Sequence, residues 1–69
     1  MNRESVSSSN IASIGYDKTS ETLEIEFING GVYQYFDVPE REYDGIMNAA
    51  SHGQYLAQNI KGNYRFSKV

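Results

Sequence analysis

Thr22-Leu23-Glu24-Ile25-Glu26-Phe27-Ile28-Asn29-Gly30-Gly31-Val32-Tyr33-Gln34-Tyr35-Phe36 is the stretch that decides the fold. Leu23, Ile25 and Phe27 alternate with Thr22, Glu24 and Glu26, the period-two pattern of a strand with one buried and one wet face. Asn29-Gly30 separates this run from a second one rich in tyrosine, a strong hairpin signal. Two registers are open. A two-residue Asn29-Gly30 loop sets Phe27 against Val32 and Ile25 against Gln34, leaving Tyr33 and Tyr35 on the outer face with Glu24 and Glu26. A three-residue loop ending in a glycine bulge sets Phe27 against Tyr33 and Ile25 against Tyr35, with Gln34 pointing to water. A one-residue slip turns every side chain over. The second register is the expected one, because so short a chain cannot spare two aromatics from its core.

Working outward, Ile11 to Tyr16 reads as a preceding strand and Asp17-Lys18-Thr19-Ser20 as a turn. Residues 1–9, crowded with Ser5, Ser7, Ser8 and Ser9, read as a flexible lead-in to a single domain over residues 10–69. On the other side, Asp37-Val38-Pro39-Glu40 opens a helix with Asp as cap and Pro in the first turn. Tyr43, Ile46, Met47 and Ala50 follow at helical spacing. Ser51-His52-Gly53-Gln54 restarts the pattern, Ser51 capping and Gln54 reaching back. Tyr55, Leu56, Asn59 and Ile60 form the second apolar stripe, and Gly62 suits its stop. Asn63 to Val69 alternates weakly and provides a last short strand. The expected class is α+β: a small antiparallel sheet of three strands, extended to four by the C-terminal one, with two helices packed on one face.

Composition narrows the function. The chain has 69 residues, 39% of them hydrophobic, with six tyrosines, three phenylalanines and no cysteine. That excludes a two-domain enzyme, a disulfide scaffold and thiolate chemistry. No apolar run approaches the ~20 residues of a membrane span and no apolar leader is visible, so the expectation is a cytoplasmic protein without membrane contact. Residues 1–60 hold three bases against all nine acids, whereas residues 61–69 hold Lys61, Arg65 and Lys68 and no acid. An acidic body repels phosphate backbones. The basic end, interleaved with Tyr64 and Phe66, weakens that objection, although solvent-facing bases on a terminal strand also account for it.

Catalytic chemistry finds little support. His52 is the single histidine, and its neighbour Ser51 does not face it from an adjacent helical position. Glu24 and Glu26 read as solvating residues on a wet strand face rather than as a paired acid and base. The acids around residues 37–44 suit a helix N-terminus without any ligand. No phosphate-cradling glycine loop and no convergent metal ligands are present, so no cofactor and no metal are expected. Recognition by aromatics remains: Tyr33 and Tyr35 on one strand face are able to stack on bases, unless they serve the core.

The ordered set of short motifs resembles the KTSC domain family, small domains found at the C-terminus of some lysyl-tRNA synthetases and as stand-alone bacterial and phage proteins. The residues that carry the resemblance are Val6-Ser7-Ser8, Gly15-Tyr16-Asp17, Leu23-Glu24-Ile25-Glu26-Phe27, Gly30-Gly31-Val32-Tyr33-Gln34-Tyr35, Val38-Pro39, Ala50-Ser51-His52-Gly53-Gln54-Tyr55 and Ile60-Lys61. The resemblance covers about residues 6–66. The resemblance implies no catalytic residues; it transfers only the central Tyr33 and Tyr35, with RNA binding as the suggestion that the synthetase context raises. The sequence therefore predicts a non-catalytic binding module. Its first reading is protein interaction, with an unknown partner or a second copy, through an acidic surface or a sheet edge. The alternative is RNA or single-stranded nucleic acid bound through Tyr33, Tyr35, Lys61, Tyr64, Arg65 and Lys68.

Overall fold

The hairpin turns on Gly30. In the computed structural model, which describes residues 1–69, the Gly30 amide bonds the Phe27 carbonyl at 2.9 Å and the Phe27 amide bonds the Gly31 carbonyl at 2.8 Å. Gly30 lies at φ +99°, a conformation open to glycine and strained for L side chains. The loop is thus three residues long, as expected, but it runs from Ile28 to Gly30, one residue earlier than the expected one. Strand partners shift by two: Ile25 faces Tyr33 and Leu23 faces Tyr35. An even shift preserves the faces. Both tyrosines share the side of Leu23, Ile25 and Phe27, while Gln34 lies opposite Glu24 on the other side.

The full order is β1 (Arg3–Ser5), β2 (Ile11–Asp17), β3 (Thr22–Phe27), β4 (Val32–Tyr35), α1 (Glu40–Asn48), α2 (His52–Tyr55), a π-helical turn (Leu56–Ile60) and β5 (Phe66–Lys68). The five strands form one antiparallel sheet in sequence order, and the helices cover one face. The α+β class holds, with one strand more than expected. The extra strand, β1, lies inside the polar segment expected to be a flexible lead-in. It pairs with β2 through Arg3 and Gly15, and a Cβ on Gly15 would press into the Asn2 carbonyl at 2.8 Å.

The core lies between sheet and helices: Ile11, Ile14, Leu23, Ile25, Tyr35, Val38, Ile46, Leu56 and Ile60. Each buried aliphatic side chain contributes about 1.5–3 kcal/mol. Ser51 caps α2 as expected, accepting the Gln54 amide at 3.2 Å. Asp37 does not cap α1. It sits at φ +57° in the turn out of β4, which leaves Pro39 at the helix entry and turns the Asp37 carboxylate to Arg65 at 2.8 Å. Asp tolerates this left-handed conformation better than most residues. No helix is long and apolar enough to cross a membrane.

Two polar clusters tie the elements together. On the open face Arg3 donates to Glu24 and, at 3.1 Å, to Ser13; Gln34 donates to Glu24 at 2.8 Å, and Ser13 to Glu26 at 2.8 Å. Glu24 is only 7% exposed, so it is a buried, partnered carboxylate and not the solvating residue expected from the alternation. Gln34 is likewise engaged rather than turned to water. On the helix side Glu42 of α1 accepts the Tyr55 hydroxyl at 2.6 Å and the Tyr64 hydroxyl at 2.9 Å. Gly45 makes room for Tyr55: a Cβ there would overlap the phenol.

Candidate functional site

The helices leave the β4–β5 end of their face uncovered. There Phe27, Tyr33, Tyr35, Phe66 and Lys61 line an open cleft of about 440 Å³, with Asn29 and Gly62 at its margin. Strand pairing sets Phe66 opposite Tyr35 and Lys68 opposite Tyr33, so both β5 side chains lie on the cleft side of the sheet. Phe66 leans on Tyr33 and Tyr35, with ring centroids 6.0 and 5.8 Å apart, and Phe27 meets Tyr33 edge-on at 5.6 Å. Phe66 remains 60% exposed, whereas Tyr35 at 4% forms the floor.

Lys61 reaches the cleft through the π-helical turn. The wider turn closes with the Lys61 amide on the Leu56 carbonyl at 2.8 Å, and the ammonium stands 5.7 Å from the centroid of Phe27. An ammonium over a ring face is attracted by about 0.5–1 kcal/mol at exposed sites. No carboxylate lines the cleft, and neither Lys61 nor Lys68 has an ion-pair partner. The acids that would surround Tyr33 and Tyr35 in the other hairpin register, Glu24 and Glu26, are on the opposite face.

Three of the six tyrosine hydroxyls are bonded within the chain, and those of Tyr33, Tyr35 and Tyr43 are not. Tyr16 donates to the Val38 carbonyl, and Tyr55 and Tyr64 donate to Glu42. The hydroxyls of Tyr33 and Tyr35 have no partner within the chain, and no unpartnered polar atom is fully buried, so both open to the cleft. Burial, and then the neighbouring Tyr33 phenol, pushes the Tyr35 hydroxyl above its ordinary pKa.

The structure therefore brings together four of the six residues singled out in the sequence: Tyr33, Tyr35 and Lys61 line the cleft and Lys68 flanks it. It places the other two elsewhere. Tyr64 is spent on Glu42, and Arg65 pairs with Asp37 while lying 5.8 Å from the Phe36 ring on the other side of β4. The sequence reading missed Phe27 and Phe66 as site residues. Their signal was the alternation that puts Phe66 and Lys68 on one side of the last strand, and only the long-range pairing with β4 says which side. His52 has a structural contact: its Nδ1 bonds the Ile46 carbonyl at 2.7 Å at the end of α1. No group of three or more His, Cys, Asp or Glu residues is gathered as a metal ion would require.

A short antiparallel meander, two helices on one face and an uncovered aromatic corner with an open cleft define a small α+β domain. The chain belongs to the KTSC domain family, whose pattern matches residues 7–64. It is similar to a crystal structure of a KTSC domain protein from Yersinia pestis, with 46% identity and a TM-score of 0.96, covering 99% of this chain and 96% of that one. A protein of uncharacterised function from Stutzerimonas stutzeri is 34% identical over 70 aligned residues, covering 100% of this chain and 99% of its own length. The lysine–tRNA ligase of Nostoc punctiforme is 39% identical over 59 residues, covering 86% of this chain. The chain spans only 10% of that ligase's length.

Proposed function

We propose that this domain is a non-catalytic binding module whose cleft takes single-stranded nucleic acid, RNA in the first place. The observation that supports this reading most is the coincidence, at one acid-free cleft, of an exposed aromatic ring, Lys61 in the lining and Lys68 beside it, both lysines without an ion-pair partner. Stacking of a base on an aromatic ring is worth ~1–3 kcal/mol, and a lysine alongside supplies the charge that a phosphate needs. The sequence likeness to part of a ligase named for tRNA points the same way. The test is fluorescence anisotropy of a labelled single-stranded RNA at low salt. Binding is expected to weaken by ~5-fold or more in Phe66→Ala, in line with the loss of one stacking contact. Equal binding by the wild type and the variant would overturn the reading.

Docking of a protein partner, or of a second copy, on a sheet edge or acidic surface is the second reading. The observation in its favour is that β1 and β5 are exposed along all three residues and form the two edges of the sheet. Short strands bearing charge, here Arg3, Glu4 and Lys68, are also how proteins blunt an edge against pairing, which ranks this reading second. A concentration-dependent dimer in sedimentation equilibrium, lost when Ser67 is replaced by Pro, would raise it above the first.

A further inference from the structure

We infer that the cleft is a single-nucleotide pocket: it holds one unstacked base with one adjoining phosphate, rather than tracking a run of bases. The inference rests on the nucleic-acid reading above and adds the size and kind of ligand. The rings do not form a row of separate platforms. Phe66 is tilted 46° to Tyr33 and 37° to Tyr35 and packs against both, so the three make one continuous wall of a single slot rather than separate platforms, and Tyr35 closes its bottom. Phe27 adds no second platform, because Lys61 stands over its ring.

Charge sets the same limit. Lys61 stands in the slot and Lys68 lies one cross-strand pair away, opposite Tyr33. Arg3, Lys18 and Arg65 are held by Glu24, Glu40 and Asp37, and Arg41 sits on the helix α1 among Glu40, Glu42 and Asp44. Lys61 is the one base in the lining and Lys68 the one beside it, so one phosphate, or at most two, is neutralised. The edge of the base has its own partners. The Tyr33 and Tyr35 hydroxyls, unbonded within the chain, can each donate and accept.

The test compares ligands of different length on the intact protein, reading amide and aromatic shifts by NMR. The probes are the four nucleoside monophosphates, the matching nucleosides, a single-stranded RNA octamer, and an RNA hairpin with and without a one-nucleotide overhang. The monophosphates are expected to shift Phe27, Tyr33, Lys61 and Phe66, to bind more tightly than the nucleosides, and to fall within about tenfold of the octamer. For the octamer, the slope of log K against log salt is expected near −0.7 for one phosphate neutralised and about −1.4 for two. Engagement of the overhang hairpin but not the blunt one assigns the nucleotide to a strand end; binding of monophosphates alone assigns it to a free nucleotide. Octamer binding at the cleft with silent monophosphates, or a slope of about −3 or steeper, would overturn the pocket while leaving the nucleic-acid reading intact. Silence from every probe would overturn both. Lys61→Gln, a change at an exposed side chain, is expected to abolish the gain of the monophosphates over the nucleosides; an unchanged gain would count against the proposal.

Discussion

On the open face of the sheet Arg3, Glu24 and Glu26 satisfy one another, whereas on the helix side Lys61 and Lys68 stand beside open rings with no ion-pair partner. The same hairpin produces both faces, because alternation along β3 and β4 sends glutamates and Gln34 one way and rings the other. With the cleft as the proposed binding site, the difference separates stability from recognition. A charge that is nearly buried and fully partnered holds two strands in register. A charge left unpaired at a gap in the packing is free for a ligand.

The largest effect that would break this comparison concerns Tyr35, which belongs to the cleft and to the core at once. Tyr35→Ala should cost about 3–5 kcal/mol, the range for emptying a buried aromatic site, and Tyr33→Ala clearly less. Urea unfolding checks this, and equal midpoints for the two variants would contradict the assignment of Tyr35 as floor. Burial also raises the hydroxyl pKa of Tyr35 and Tyr16, as burial and Glu42 together do for Tyr64, while for Tyr55 the hydrogen bond to Glu42 comes first. A folded-state pKa above the unfolded value means stability that is present below about pH 10 and lost as pH rises beyond it. Thermal melts across the alkaline range should show that decline.

Next in size is the open face. Arg3→Ala leaves Glu24 with Gln34 alone and should cost about 1–3 kcal/mol, as for a nearly buried group losing a partner. The hydrogen bond from Gln34, and then the contacts with Arg3, outweigh burial and hold the Glu24 carboxyl below its ordinary range. With a folded pKa below the unfolded one, the contribution is present above the ordinary carboxylate range and disappears as pH falls through the folded value. Glu24→Gln should therefore flatten the acid limb of the melting curve against pH, and an unaltered acid limb would remove Glu24 from the account. Gly45→Ala comes third. Overpacking against Tyr55 costs about 1–3 kcal/mol, partly offset by up to ~1 kcal/mol of helix propensity. A net gain in stability would mean that the Tyr55 phenol moves aside freely.

The smallest stability effect carries the functional side of the comparison. Lys61→Gln should change unfolding free energy by no more than about 1 kcal/mol, since it removes one exposed contact with Phe27. Calorimetry beside the anisotropy titration would show whether stability and binding part company at this residue, as they should.

Much of this architecture was legible because local patterns carried it. Leu23-Glu24-Ile25-Glu26-Phe27 names a half-buried strand without reference to anything distant, and Ser51 with Gln54 names its own helix start. The order of strands and helices follows from these. Three features escaped for a common reason. The loop beginning at Ile28 depends on which glycine takes positive φ, and Gly30-Gly31 offers two. The strand at Arg3–Ser5 looks like a polar tail until Arg3 meets Glu24, twenty-one positions away. Asp37 looks like a cap until the turn lifts it toward Arg65, twenty-eight positions away. Of the site, the tyrosines and Lys61 were readable from residue type and the family pattern. Phe66 was not, because its side is fixed by pairing with Tyr35 across the sheet rather than by its own neighbours.

The account turns on the cleft being where a ligand sits. Amide-shift mapping of the intact domain with a single-stranded RNA at low salt tests that directly. The predicted result is a set of shifts confined to Phe27, Tyr33, Lys61, Phe66 and Lys68 that fades as salt rises. Shifts centred on Arg3, Glu24 and Glu26, or none under those conditions, would contradict it.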